Sequence, residues 1–212
     1  MSKKIHQVSG KFPEGRDLDK AWEEIEKGSD RSAAIMGAAF VENALQDALK
    51  SRTIGLSSQV TNAIMGAEFA EDALALKSKT IELSSQVANE IFLNGPLSSF
   101  SSKILLGFAL GLYGPVVKKD LNVIRNIRNA FAHAMMPITF DSPEVADELN
   151  GLAFLEWRHK NPPILGHPAS KEFSFPDLNR DKYENTVRLL AHSLYFFGLI
   201  SNIKRPDSPK LP

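Results

Sequence analysis

Within the ten residues IRNIRNAFAH, positions 124 to 133, two arginines, two asparagines and a histidine alternate with isoleucines and a phenylalanine. Histidine can carry a proton near neutral pH and arginine can grip a phosphate or a carboxylate, so the stretch holds the parts of an acid-base or anion-handling site. Laid on a helix at about 100° per residue, Ile124, Ile127, Phe131 and Ala134 share one face. Arg125, Asn129 and His133, each four apart, share the opposite one, and Arg128 lies on the flank. Two uses of the polar stripe stand open. It is a solvated or hydrogen-bonded structural face, or it lines a cleft or a symmetric interface where the arginines and the histidine act.

Other polar clusters are fewer. Asp30 and Arg31 follow Gly28 and Ser29 at the start of a helix; Asp30 fits a helix cap or a salt-bridge partner for the Arg125, Arg128 and His133 set, and Arg31, a further candidate for that site, is less easily explained by capping. Ser99 and Lys103, within GPLSSFSSK, could donate to an anion at a helix start, but closely spaced serines are also what an N-cap needs. Lys118, Lys119, Arg125 and Arg128 against Asp120 leave three positive charges, enough for a modest polyanion contact and not for operator recognition. His6, His159, His167 and His192 lack ligand spacing, so no metal site is expected. No phosphate-binding glycine loop, dinucleotide fingerprint, zinc-protease pair or nucleophile elbow occurs, and no cofactor is expected. Nor does any turn lead into a helix with several base-reading side chains on one face, so a DNA contact lacks a reading head.

The elements that must position these residues are helical. Apolar residues recur at spacings of three and four and strict alternation is nearly absent, which predicts an all-α, single-domain bundle over residues 14–203, with tails at 1–13 and 204–212. A first helix is predicted over Leu18 to Lys27, capped by Asp17 and stopped by Gly28. A second begins at Ser29 or Asp30 and buries Ile35, Ala38, Ala39, Val41, Leu45 and Leu49, its alanines and glycines allowing a close neighbour. Residues 35–62 are nearly repeated by 64–89, with 20 of 26 aligned positions identical, which predicts one extra helix from a tandem duplication. Ser57 and Ser58 would cap a helix running to Lys77, and Ser84 and Ser85 a shorter one through Phe92. The second copy replaces Ala39, Asn43 and Gly55 by Glu68, Asp72 and Glu82, which suggests that copy one keeps the core position.

Asn94, Gly95 and Pro96 break the chain before a helix capped by Ser98 or Ser99 and ending near Gly114. Pro115 opens the helix that carries the polar stripe, and Pro137 ends it. A short acidic helix follows Ser142 and Pro143, residues 158–178 read as a loop or an extended arm, and the last helix carries a stripe of Val187, Leu190, Leu194, Phe197 and Ile200.

Composition adds limits. The 212 residues balance 25 basic against 25 acidic side chains, which gives no general field for a polyanion. With no cysteine there is neither disulfide nor thiol chemistry. The N-terminus lacks the apolar segment of a signal peptide, and the longest apolar run, residues 104–117, is too short for a bilayer, so a cytoplasmic location and no membrane contact are expected.

Taken together, GSDR (28–31), GPLSSFSSKI (95–104), FALGL (108–112) and IRNIRNAFAH resemble the signature of the mannitol operon repressor family. That resemblance implies an all-helical regulator of sugar-alcohol uptake that associates with itself or with other proteins. Arg128 and His133, with four residues between them, also resemble the R-x4-6-H motif of the HEPN superfamily, with Asn129 in the polar position after the arginine. This second resemblance implies, in its active members, metal-independent RNA cleavage across a dimer, histidine moving the proton and arginine stabilising the phosphate charge.

Overall fold

The computed structural model describes residues 16–64, 90–92, 95–160 and 178–201, with side chains described from residue 19 onward except at 51–64 and 196–201. Seven helices and no strand are found among the described residues: α1 (Arg16–Lys27), α2 (Asp30–Ile64), α3 (Phe100–Ala109), α4 (Pro115–His133), α5 (Pro143–Leu149), α6 (Phe154–Lys160) and α7 (Asn179–Ser201). The all-α expectation holds. The expected tails, and the second copy from residue 65 to 89 with Ser84 and Ser85, lie outside the described residues.

The centre of the bundle is α2 against α7. Ala33, Ala34, Ala38, Ala44 and Ala48 of α2 are buried, as are Val187, Leu190, Ala191 and Leu194 of α7. Gly37 sits where a Cβ would lie 3.2 Å from Val187 Cγ1 and 3.3 Å from Tyr183 Cε1. Small residues thus let the two backbones approach, as the alanine and glycine content predicts. The Tyr183 hydroxyl uses that approach, donating to the Ala34 carbonyl at 2.8 Å inside the core. Burial pushes this phenol far above its usual range, so it stays a neutral donor.

Ile35 and Ala39 depart from the predicted face: both are exposed, and the buried stripe runs through Ala34, Ala38, Val41, Leu45 and Leu49 instead. The stripe follows the i, i+3, i+4 rows that α7 covers, and Ile35 falls beside them. A second correction concerns Ser57 and Ser58, which start no new helix, because α2 continues through them to Ile64. One glycine in this stretch, Gly55, costs roughly 1 kcal/mol of helix propensity, too little to end a long helix by itself.

Ser99 caps α3, its hydroxyl accepting from the Ser102 amide at 3.1 Å. The helix stops at Ala109, earlier than Gly114, because Gly111 turns left-handed at φ 65° and the chain folds back. That reversal lays Tyr113 on Gly107, with the hydroxyl donating to the Ile104 carbonyl at 2.8 Å. Pro115 then opens α4 in its first turn, as predicted. The helix ends at His133 rather than being carried to Pro137, since Ala134 already has extended backbone.

Residues 154–160, which overlap the start of the loop or arm expected over 158–178, form α6 instead. Residues 161–177 lie outside the described set. Phe131, Phe140 and Tyr183 meet in series as tilted ring pairs at 5.1 and 5.0 Å between centroids, joining α4, the segment after it and α7 into one core.

Gly37→Leu should therefore wedge α2 from α7 and lower the unfolding free energy by about 3 kcal/mol, whereas Gly37→Ala should cost less. Urea titrations of both variants measure the difference.

Candidate functional site

The polar stripe is built as the spacing predicts on its inner side. Ile124, Ile127 and Phe131 are wholly buried and hold α4 in the bundle, while Ala134 is only half-buried. On the outer side Arg125, Arg128 and Asn129 are half-buried and His133 is exposed. Arg128 donates through Nη1 to Asn129 Oδ1 at 3.0 Å, and Arg125 through Nη2 to Asn126 Oδ1 at 3.1 Å. Each guanidinium keeps other donors for a ligand. No hydrogen bond to the His133 ring is found among the described residues. Five positions separate Arg128 from His133, about 140° around one helix, so the two diverge on a single chain.

Arg31 joins this end of α4. Its Nη2 donates to the Ala134 carbonyl at 2.8 Å, satisfying an acceptor at the helix C-terminus where a cation is favoured. The same bond places Arg31 beside His133 and at the root of Met135 and Met136, which are 100% and 74% exposed. Apolar side chains and an unpartnered imidazole thus share one rim.

Asp30 goes elsewhere. Ser29, not Asp30, caps α2 by accepting from the Ser32 amide at 3.2 Å. Asp30 Oδ2 accepts from the Phe140 amide and Oδ1 from Arg180 Nη1, both at 3.0 Å. The expected pairing of Asp30 with Arg125, Arg128 or His133 is therefore replaced by one with Arg180. That arginine also donates through Nε to Glu184 and through Nη2 to the carbonyls of Ile25, Glu26 and Gly28, which closes the end of α1. Its role follows from reach across 150 to 155 residues, which no local spacing could reveal; only the Arg180 to Glu184 interval of four was readable.

Ser99 and Lys103 do not form an anion site. The Ser99 hydroxyl lies 3.0 Å from Ser101 Oγ and 2.8 Å from Ser102 Oγ, a cap with its neighbours. Lys103 is 4% exposed and turned inward, its Nζ 2.7 Å from Glu42 Oε1 on α2. A buried ammonium needs such a partner, and the pair ties α3 to α2.

Asp120 was countable from sequence only as a countercharge to the lysines beside it, yet it is fully buried. Its carboxylate accepts from the Ala153 amide at 3.0 Å and the Phe154 amide at 2.7 Å, capping α6 from inside α4. Lys118 lies 4.2 Å over the Phe108 ring, and Lys119 is exposed. The outward side of α4 therefore shows cations and amides with Asp120 withdrawn. Among the described residues no group of His, Asp and Glu could hold a metal ion, and no helix is long and apolar enough to cross a membrane.

Comparison with known proteins finds no matching family model, no matching curated protein and no matching solved structure.

Burial raises the Asp120 carboxyl above its usual range, against the opposing pull of the Phe154 and Ala153 amides and the charges of Lys119 and Lys182. Just above the ordinary carboxylate range the folded chain then holds a proton that the unfolded chain has lost. This contribution to stability is full at lower pH and falls as pH rises through the raised value. Asp120→Asn should remove that slope from urea titrations run between acid and neutral pH. Asp120→Ala should cost about 2 kcal/mol at neutral pH, leaving two buried amides unpaired.

Proposed function

We propose that the protein is a helical regulator of the kind the mannitol operon repressor family represents, acting through self-association at the end of α4. The observation that carries this reading is the rim of exposed Met135 and Met136 beside exposed His133, held by the bond from Arg31 to the Ala134 carbonyl. Methionine pairs on a rigid rim are adaptable apolar contacts, and large exposed apolar side chains grouped together mark association surfaces. The half-buried Arg125, Arg128 and Asn129 supply polar partners around them. Contact with regulatory DNA would be indirect or would rest on the modest basic stripe of α4.

A second reading is favoured by the open donors of Arg128 and the unpartnered ring of His133. Two copies meeting at this rim would set the Arg128 of one near the His133 of the other, the arrangement that the HEPN resemblance associates with metal-independent cleavage of RNA. Histidine would exchange a proton with the ribose hydroxyl or the leaving oxygen, and arginine would stabilise the phosphate.

Two measurements separate these readings. Light scattering at about 100 µM should give a mass above the 23.4 kDa of one chain, and Met135→Asp combined with Met136→Asp should return it to one chain. A single-chain mass for the unsubstituted protein, with no shift of regulatory DNA, would reject the regulator. Incubation with single-stranded RNA in chelator tests the nuclease: cleavage that falls by about a hundredfold or more in His133→Ala supports it. Equal cleavage by that variant excludes His133 from the chemistry.

A further inference from the structure

Away from α4, a cleft of about 300 Å³ opens between α1 and α7, lined by Trp22, Glu26, Arg180, Asp181, Glu184 and Arg188. Its volume is at the lower end of small-ligand sites, the size of an amino acid rather than a nucleotide. Which charges are free to act decides what it could hold.

Arg180 is already spent on Asp30, Glu184 and three backbone carbonyls, so it is wall rather than ligand. Glu184 answers to Arg180, and burial, with repulsion from Asp181 and Glu26, raises its carboxyl above the usual range. The remaining charges are the carboxylates of Glu26 and Asp181 and the guanidinium of Arg188. Asp181 is exposed in the first turn of α7 with no hydrogen bond or ion pair found among the described residues. Arg188 and Glu26 meet only at 3.3 Å, with side chains 50% and 55% exposed. This loose pair is the part of the lining that can open.

Arg188 also lies 5.5 Å over the Trp22 ring, covering it. Beneath, the Trp22 residue is 4% exposed and its indole Nε1 is buried with no hydrogen-bond partner, the one such side-chain atom among the described residues. A buried donor left unpaired is costly and calls for an acceptor. The cleft thus presents two carboxylates and one guanidinium that can turn to an anion, beside an aromatic ring whose buried N–H lacks an acceptor.

We propose that this cleft binds a basic amino acid. The ligand's two cations meet Glu26 and Asp181, and its carboxylate engages Arg188 once that side chain leaves Glu26. Movement of Arg188 uncovers the Trp22 ring, on which the alkyl stem lies. Every free charge of the lining then has a partner of opposite character. The Asn185 amide at the rim adds a polar contact. The proposal involves elements other than the α4 rim and does not rest on the regulator reading.

The test uses the full chain with Trp157→Phe, which leaves Trp22 as the sole tryptophan. L-arginine and L-lysine should produce a saturable change in its fluorescence with Kd below about 1 mM, matched by calorimetry on the unsubstituted chain. Agmatine, lacking the carboxylate, and norvaline, lacking the side-chain cation, should each bind at least about tenfold more weakly. Arg188→Gln should abolish the preference for arginine over agmatine, and Glu26→Gln should weaken arginine by about tenfold, both with unchanged melting curves. No saturable signal from either amino acid up to about 10 mM overturns the proposal. So does agmatine binding as tightly as arginine, or an Arg188→Gln variant that binds like the parent.

Discussion

Everything else in the fold is hung on the close approach of α2 and α7. Gly37 faces Val187 and Tyr183 with no room for a larger side chain, and the neighbouring alanines extend the seam along both helices. Only at that separation can the Tyr183 hydroxyl reach the Ala34 carbonyl, and only then do Phe140 and Phe131 find a ring to pack against. The inner face of α4 is fixed through this aromatic series. Its outer face, with Arg125, Arg128, Asn129 and His133, is presented as a result of packing on the other side of the bundle.

Long-range polar bonds then lock what the apolar seam sets roughly in place. Asp30 and Arg31 are neighbours in sequence but serve different ends: one receives Arg180 and the Phe140 amide, the other closes the C-terminus of α4. Asp120 does for α6 what Ser99 does for α3, but from a distant helix and inside the core. Backbone groups at helix ends have no intrahelical partner, and these side chains supply partners that water would otherwise provide. The polar residues that looked available for chemistry divide accordingly into those used by helix ends and those left at the α4 rim.

Helix type and the faces of α4 and α7 were legible because periodicity records which side is buried, and Ile124, Ile127, Phe131, Val187, Leu190 and Leu194 obey it. The cap at Ser99 and the first-turn proline at Pro115 were legible because they act within one turn. What escaped was decided by tertiary partners. Nothing local distinguishes Ile35 from Ala34, yet α7 covers one and leaves the other in water. Lys103 and Asp120 look like surface charges until Glu42 and the start of α6 arrive beside them. Of the candidate site, Arg31 is brought to the C-terminal end of the helix that carries His133, whereas Asp30, Ser99 and Lys103 are taken up by the scaffold.

The uninterrupted course of α2 bears on how the chain acquired its repeat. Copy one, residues 35–62, begins more than a turn inside α2 and ends just before that helix does, and Ile64, the first residue of copy two, is still helical. The repeated unit is therefore a length of helix cut in mid-course, with no turn of its own at either boundary. A duplication of that kind copies a buried face without copying the neighbour that buries it. Ala38, Val41, Leu45 and Leu49 are buried in copy one, and their counterparts in copy two, Ala67, Ala70, Leu74 and Leu76, stay apolar, so the acidic changes at positions 68, 72 and 82, opposite Ala39, Asn43 and Gly55, leave the copied face itself intact.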